Sequence, residues 1–335
     1  MIMERKDPVV VIGADRFPGA YVCRHFARLG HEVAAVVRAG RSVADGMELP
    51  WDGVDVGPWA MALEGAGAVI EMVDGADGGR STRVLGRAIA GCRVPPAAWL
   101  HVGSTGIYQE ETSEPADEWR GEGGGGEAAR LAREAERAFF GCMVPGRVRK
   151  LALRVAPVLA NDGRSPWDLL VRLAQMGIGA RRGGRSRVSW LHLDDFLAAL
   201  DWLLAESQLD GWVNVCAPSG ARPGEVMRVV REMTGHRFGL PLPRRLWRFI
   251  SRWLGGPGIS CIEPVWAQPL RLVGAGFAFR WPTLAPAMRN LVGREGLDGF
   301  FAAAEAPLGS LARPWRATAG PMRLHREGGP SGLLP

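Results

Sequence analysis

An apolar run, VVVI at Val9 to Ile12, breaks at Gly13 into ADRFPG and closes on Gly19. No other stretch constrains the fold as tightly, because an apolar strand opening into a glycine-punctuated turn is how a dinucleotide-binding β-α-β unit begins. Such a turn uses one glycine to leave the strand sharply, one to let bare backbone approach a pyrophosphate, and one to pack the helix on the sheet. Gly13 and Gly19 hold the outer places of a G-x-x-G-x-x-G spacing, while Arg16 stands in the middle with Phe17 after it. The turn therefore predicts cofactor contacts at Gly13, Arg16, Phe17 and Gly19. The bulk of Arg16 impairs close backbone approach, but its guanidinium can pair with a phosphate from the side.

The chain has 335 residues, 47% of them hydrophobic, enough to bury a substantial core as one large domain or two unequal ones. No run approaches the roughly 18 to 20 apolar residues of a membrane span, and Met1 to Pro8 is charged with no apolar stretch behind it. A secretory signal is not expected, and cytoplasm is the default location. The five cysteines are scattered and form no C-x-x-C pair, which gives little support to a disulfide framework or a zinc site. Net charge is +6, yet only Lys6 and Lys150 are lysines, and the arginines spread along the chain among 35 acids. Arginine-rich composition accounts for that charge, and nucleic-acid binding stays the more distant alternative.

After Gly19 to Leu29, a helix with Val22, Phe26 and Leu29 on one face, HEVAAVVR at His31 to Arg38 supplies a second strand. An acid at the end of that strand would bind the adenosine ribose of NAD, whereas arginine suits a 2′-phosphate. Arg38 and Arg41 thus favour NADP over NAD for any bound dinucleotide; the alternative is two solvated loop arginines. Gly65 to Val73 predicts another buried strand, Arg80 to Ala90 a helix, and Trp99 to Val102 a strand opening into GSTGIY at Gly103 to Tyr108. Glu110 to Gly126 is polar and glycine-rich and is expected to be a mobile loop. Glu127 to Phe140 restores helical spacing, and Val148 to Leu159 gives one more strand.

This alternation predicts an α/β fold: a Rossmann-type doubly wound parallel sheet with a smaller C-terminal, substrate-side lobe. The expected division is a nucleotide-binding domain over 1–235, with substrate-side segments from about 160, a small C-terminal domain over 236–295, and a disordered tail over 306–335. Leu240 to Leu254 is amphipathic and is expected to pack on the domain, with a membrane-surface helix as the weaker reading.

Several segments in this order carry a family resemblance: the glycine turn, Arg38, the STGIY turn, SWLHLDD at Ser189 to Asp195, WVNVCAP at Trp212 to Pro218, and GFAFRWPTLAPAM at Gly276 to Met288. Over Val9 to Val292 the chain resembles the atypical extended short-chain dehydrogenase/reductases, the epimerase-family branch, whose C-terminal domain ends in a similar GF-x-F-x-W/Y-P-x-L-x-x-A pattern. The resemblance implies NAD(P) and a Ser/Tyr/Lys machinery. In it a tyrosine exchanges the proton, a lysine four residues later lowers its pKa from near 10, and a serine orients the substrate oxygen.

The chain cannot build the Tyr/Lys pair. Its two tyrosines are Tyr21 and Tyr108, followed four residues on by His25 and Thr112, and Ala128 and Ala132 stand where the pair is expected. Ser104 and Tyr108 remain as catalytic candidates. The plainer readings are a turn serine bonding its own backbone and a tyrosine packed at the sheet edge. Where relatives carry N-x-A-G, this chain has EMVD at Glu71 to Asp74, two acids expected to repel a phosphate. Asp194 and Asp195 suit a helix start with His192 beside them better than a metal cluster, so no metal is expected. Arg154, Arg181, Arg182, Arg185 and Arg187 are candidate contacts for an anionic substrate, with a solvated basic loop as the default.

The leading expectation is an NADP-preferring oxidoreductase-type protein acting on an unidentified small molecule. The rival is a non-catalytic regulatory or interaction protein on the same fold with weak or lost cofactor binding. No residue specifies the substrate or the oligomeric state.

Overall fold

The computed structural model describes residues 6–43, 45–72, 77–110, 112–119, 123–181, 187–206, 208–236, 238–243, 245–247, 249–250 and 265–293. Asp74, Trp253, Leu254, Cys261, most of the arginine-rich run after Ala180 and the segment 306–335 lie outside these residues.

Seven parallel strands form the central sheet. They are β1 (Lys6–Ile12), β2 (His31–Arg38), β3 (Met47–Trp51), β4 (Ala68–Glu71), β5 (Ala98–Ser104), β6 (Arg149–Val155) and β7 (Gly211–Val215), in the order β7-β6-β5-β4-β1-β2-β3. The direction of winding reverses between β1 and β4, which opens a crevice at the carboxyl ends of those two strands. β1 runs between β2 and β4, with Val10 opposite Ala34 on one side and Val69 on the other. Its residues alternate faces. Val9 and Val11 pack with α1 (Gly19–Arg28) and α5 (Leu193–Ala205), whereas Val10 and Ile12 pack with α2 (Arg80–Ala90) and α3 (Glu127–Gly141). Cover on both faces is why the strand reads as an unbroken apolar run rather than an alternating one.

β3 was not legible as a strand in MELPW, because Pro50 cannot donate to a ladder. The structure puts it at the sheet edge, beside β2 only, where a missing amide costs least. A further apolar core joins α4 (Pro166–Gln175), α6 (Pro223–Thr234) and the helix Leu284–Gly293 around Trp190 and Trp247. Ser165 and Asp168 form a capping box at the start of α4.

The segment expected to be mobile after Tyr108 is in part packed. Ala116 exchanges backbone bonds with Trp266 and Gln268 (2.7 and 2.9 Å). Glu118 is buried and accepts from the backbone amides of Asn214 and Arg271. Polar composition concealed this because a carboxylate can go inside when backbone amides meet it, as both do here at Oε1.

Glu71 also departs from expectation. It faces away from the ligand crevice and is fully buried, accepting from Thr82 Oγ1 (2.6 Å), Trp99 Nε1 (3.1 Å) and His101 Nδ1 (3.0 Å). It therefore meets no phosphate. Strand alternation explains this, since Ile70 takes the α1/α5 face and Glu71 must take the other.

Two outcomes follow for stability. A Cβ on Gly13, whose φ is 77°, would lie 2.8 Å from the Met72 carbonyl oxygen, and one on Gly19 would lie 2.7 Å from that of Ala14. Gly13→Ala and Gly19→Ala should each cost about 1–3 kcal/mol, read as a lowered denaturant midpoint; an unchanged midpoint contradicts the packing described. At His101, burial disfavours the charged ring, but the charge and hydrogen bond of Glu71, with the charge of Glu136, outweigh it and raise the pKa. The resulting stabilisation is complete below the unfolded imidazole value of about 6.5 and is lost as pH rises through the higher folded value. Unfolding free energy measured against pH should decline over that window in the wild type and not in His101→Gln. Identical slopes would remove the pair from the account.

Candidate functional site

The turn after β1 is tied to its neighbours by backbone. The amides of Gly13 and Ala14 both donate to the Val36 carbonyl (2.9 and 3.1 Å), and the Met72 amide donates to Ile12 (2.8 Å). These bonds pin the ends of β1, β2 and β4 together around Gly13. Arg16 closes the turn through its amide on Gly13 (3.0 Å). Phe17 is half-buried against the core and meets the Tyr21 ring edge-on at 6.1 Å. Helix α1 then starts at Gly19 with no side-chain cap and no acid in its first turn, so its amides and dipole leave the crevice favourable to an anion.

At the end of β2, Arg38 and Arg41 are exposed. Arg38 is not a bare cation: its Nε donates to Asp15 Oδ2 at 2.8 Å, and its backbone amide reaches Asp15 Oδ1 at 3.4 Å. The guanidinium side is 54% exposed and the carboxylate side only 2%. Sequence reasoning passed over Asp15. An acid inside a turn suited to phosphates was a visible signal, but its partner, 23 residues away, becomes apparent only once the turn folds back over β2.

Ser104 stands exposed at the carboxyl end of β5, where its Oγ accepts from the Gly106 amide at 3.0 Å. Tyr108 lies deeper. Its side chain is buried; the hydroxyl donates to Asn214 Oδ1 (2.7 Å) and accepts from Arg154 Nη1 (3.1 Å). Burial pushes this phenol up to about 12, with Arg154 opposing only in part. The two residues are thus four apart in sequence but in different environments, one wet and one dry.

Arg154 grips Glu136 of α3 through Nε and Nη2 (2.8 and 2.7 Å), and Trp212 Nε1 donates to the same carboxylate (3.0 Å). With its side chain 2% exposed, Arg154 is a core residue and not the contact for an anionic substrate that its sequence position suggested. Truncating either partner would strand a buried charge, at a cost of about 3–5 kcal/mol. Lys150 is committed elsewhere. Its Nζ donates to the carbonyls of Phe139, Phe140 and Cys142 (2.5, 3.3 and 3.2 Å), closing the end of α3. Ala128 and Ala132 lie on α3, so that helix presents neither tyrosine nor lysine.

His192 caps α5 by accepting from the Asp194 amide (3.0 Å), with Asp194 and Asp195 in the first turn. Asp195 also accepts from the amides of Arg280 and Trp281 (2.8 and 3.0 Å), which anchors the GFAFRWP segment to the sheet domain. Among the described residues no three His, Cys, Asp or Glu side chains gather as metal ligands, and no helix is long and apolar enough to cross a membrane.

No family model matches the chain. Human epimerase family protein SDR39U1 is 25% identical over 215 residues, 63% of this chain and 71% of that protein. Epimerase family protein ML0860 of Mycobacterium leprae is 24% identical over 301 residues, 85% of this chain and 95% of the relative. The crystal structure of human SDR39U1 isoform 2 with NADPH superposes with a TM-score of 0.71 at 22% identity, covering 85% of this chain and 98% of that one. The Bordetella bronchiseptica enzyme WbmG, in complex with NAD and UDP, gives 0.66 at 16% identity over 93% of this chain and all of its own, 100%. The sheet order explains why such distant sequences superpose, since strand order and crossover hand are kept by packing while exposed side chains drift. In sequence the chain is similar to epimerase family proteins, and it shares the fold of the solved structures with which it superposes.

Proposed function

We propose that the chain binds an NADP-type dinucleotide at the carboxyl ends of β1, β2 and β4 and works in the cytoplasm as an oxidoreductase-type protein on a small molecule held beside Ser104. The observation that carries this reading is the convergence of three features on one crevice: the Gly13–Gly19 turn, the uncapped start of α1, and the exposed guanidinium of Arg38. Human SDR39U1, a similar fold, was crystallised with NADPH, which supports the same occupant here.

The residues present fit the adenosine half of such a ligand better than the nicotinamide half. The positive end of the α1 dipole lies at the turn where a pyrophosphate would sit, Arg16 can flank it, and Arg38 with Arg41 stands where a 2′-phosphate would lie. At the far end Ser104 uses one lone pair on Gly106, which leaves its hydroxyl proton to orient a carbonyl or alcohol oxygen. When bound, the nicotinamide supplies or accepts a hydride. Tyr108 keeps its proton, and it acts by holding Arg154 and Asn214 in place.

A second reading, a non-catalytic regulatory or interaction protein on the same fold with weak or lost cofactor binding, is favoured by one observation: the phenol of Tyr108 and the ammonium of Lys150 are both spent on internal hydrogen bonds.

Titration of the purified protein with NADPH and NADH, followed by fluorescence or thermal shift, should give saturable binding. Arg38→Ala combined with Arg41→Ala should weaken NADPH about tenfold more than NADH. No response at millimolar cofactor overturns the dinucleotide reading, and equal loss of both ligands removes the arginines from phosphate recognition. If NADPH binds, its consumption with aldehydes and ketones separates the two readings, and Ser104→Ala should lower the rate without lowering cofactor affinity.

A further inference from the structure

A dinucleotide fold that reads a ribose 2′-hydroxyl places a carboxylate at the end of its second strand, and one that reads a 2′-phosphate places an arginine there. This chain has both. The arginine is Arg38 itself. The carboxylate comes from Asp15 in the glycine turn, which reaches the last residue of β2 through its Oδ1 (3.4 Å to the amide) and Oδ2 (2.8 Å to Nε).

We propose that Asp15 determines the cofactor preference of the site by competing, from within the chain, with the cofactor's 2′-phosphate for Arg38. The inference rests on the dinucleotide reading given above and adds to it a specific residue and a sign.

Three observations support it. The Asp15 side chain is only 2% exposed, and the turn that carries it is pinned to β2 through the Val36 carbonyl, so the carboxylate is held in position rather than swinging in solvent. Arg38 is engaged through Nε, while its side chain stays about half exposed. A phosphate can therefore still approach the outer edge of the guanidinium. It then meets an ion pair of zero net charge instead of a lone cation, with a fixed negative charge directly behind. Attraction for a dianion falls, because repulsion from the more distant Asp15 carboxylate offsets part of the attraction from Arg38. A ribose bearing a neutral 2′-hydroxyl suffers no such repulsion. The expected consequence is a site that discriminates weakly between NADPH and NADH despite an arginine placed to favour NADPH.

The test is a comparison of wild type, Asp15→Asn and Asp15→Thr by equilibrium titration with NADPH and with NADH, at low and at physiological ionic strength. Asp15→Asn keeps an acceptor for the Arg38 amide and removes only the charge, while Asp15→Thr provides a smaller neutral alternative should the amide fold poorly. Ligand-free melting temperatures for all three establish that the fold is intact. The affinity for NADPH should rise about fivefold to tenfold in the neutral variants and that for NADH should change by less than about twofold. The gain in NADPH affinity should shrink with added salt, as expected for a partly exposed charge. Binding of both cofactors with an unchanged NADPH-to-NADH ratio in the variants overturns the role of Asp15 and leaves the dinucleotide reading standing. Absence of binding by wild type and both variants at millimolar cofactor overturns both.

Discussion

The carbonyl of Val36 holds the candidate site together. By accepting the amides of Gly13 and Ala14, it bends the chain off β1 directly over the end of β2, and the turn can lie that close only because Gly13 has no side chain to meet the Met72 carbonyl. The start of α1, the position of Asp15 and the reach of Arg38 all depend on this one closure. It also sits where the sheet reverses its winding, so that a feature needed for packing and a feature suited to ligand binding are the same few atoms.

Away from that crevice, the polar residues have been drawn inward. Glu136 and Arg154 form a buried bidentate pair braced by Tyr108 and Trp212. Glu71 and His101 form another beneath α3, and Lys150 closes the end of that helix. The lysine and tyrosine that the sequence resemblance implies for proton transfer have no counterpart on α3, and Tyr108 and Lys150 are committed to internal hydrogen bonds. Buried charges of this kind persist only when every donor and acceptor is met, which makes them poor participants in chemistry and strong constraints on the arrangement of strands. Ser104, by contrast, stands exposed at the carboxyl end of β5.

Much of the fold was readable from local pattern, and the misses have specific causes. Unbroken apolar runs marked β1, β2, β4 and β5, and helical spacing marked α1 to α3, because burial on two faces or on one stripe dictates residue type directly. Pro50 hid β3, whose edge position is a property of the sheet and not of MELPW. The buried carboxylate of Glu118, which takes two backbone amides on Oε1, hid the packing of the segment after Tyr108. The inward course of Glu71 was available from its alternation with Ile70, but treating EMVD as a ligand-facing motif overrode that simpler signal.

The amino-acid sequence alone determined the parallel α/β architecture, the glycine turn with an arginine in its middle, and the lack of any Tyr/Lys pair, since these follow from periodicity, spacing and composition. Only the tertiary structure decided which charges face the crevice. Asp15 and Arg38 are 23 residues apart, Tyr108 and Asn214 are 106 apart, and Glu71 and His101 are 30 apart. Such pairings arise from strand order and from the path of one turn, which no local pattern encodes. A hydrogen bond or ion pair depends on distance and direction, and those are fixed only when the whole sheet has closed.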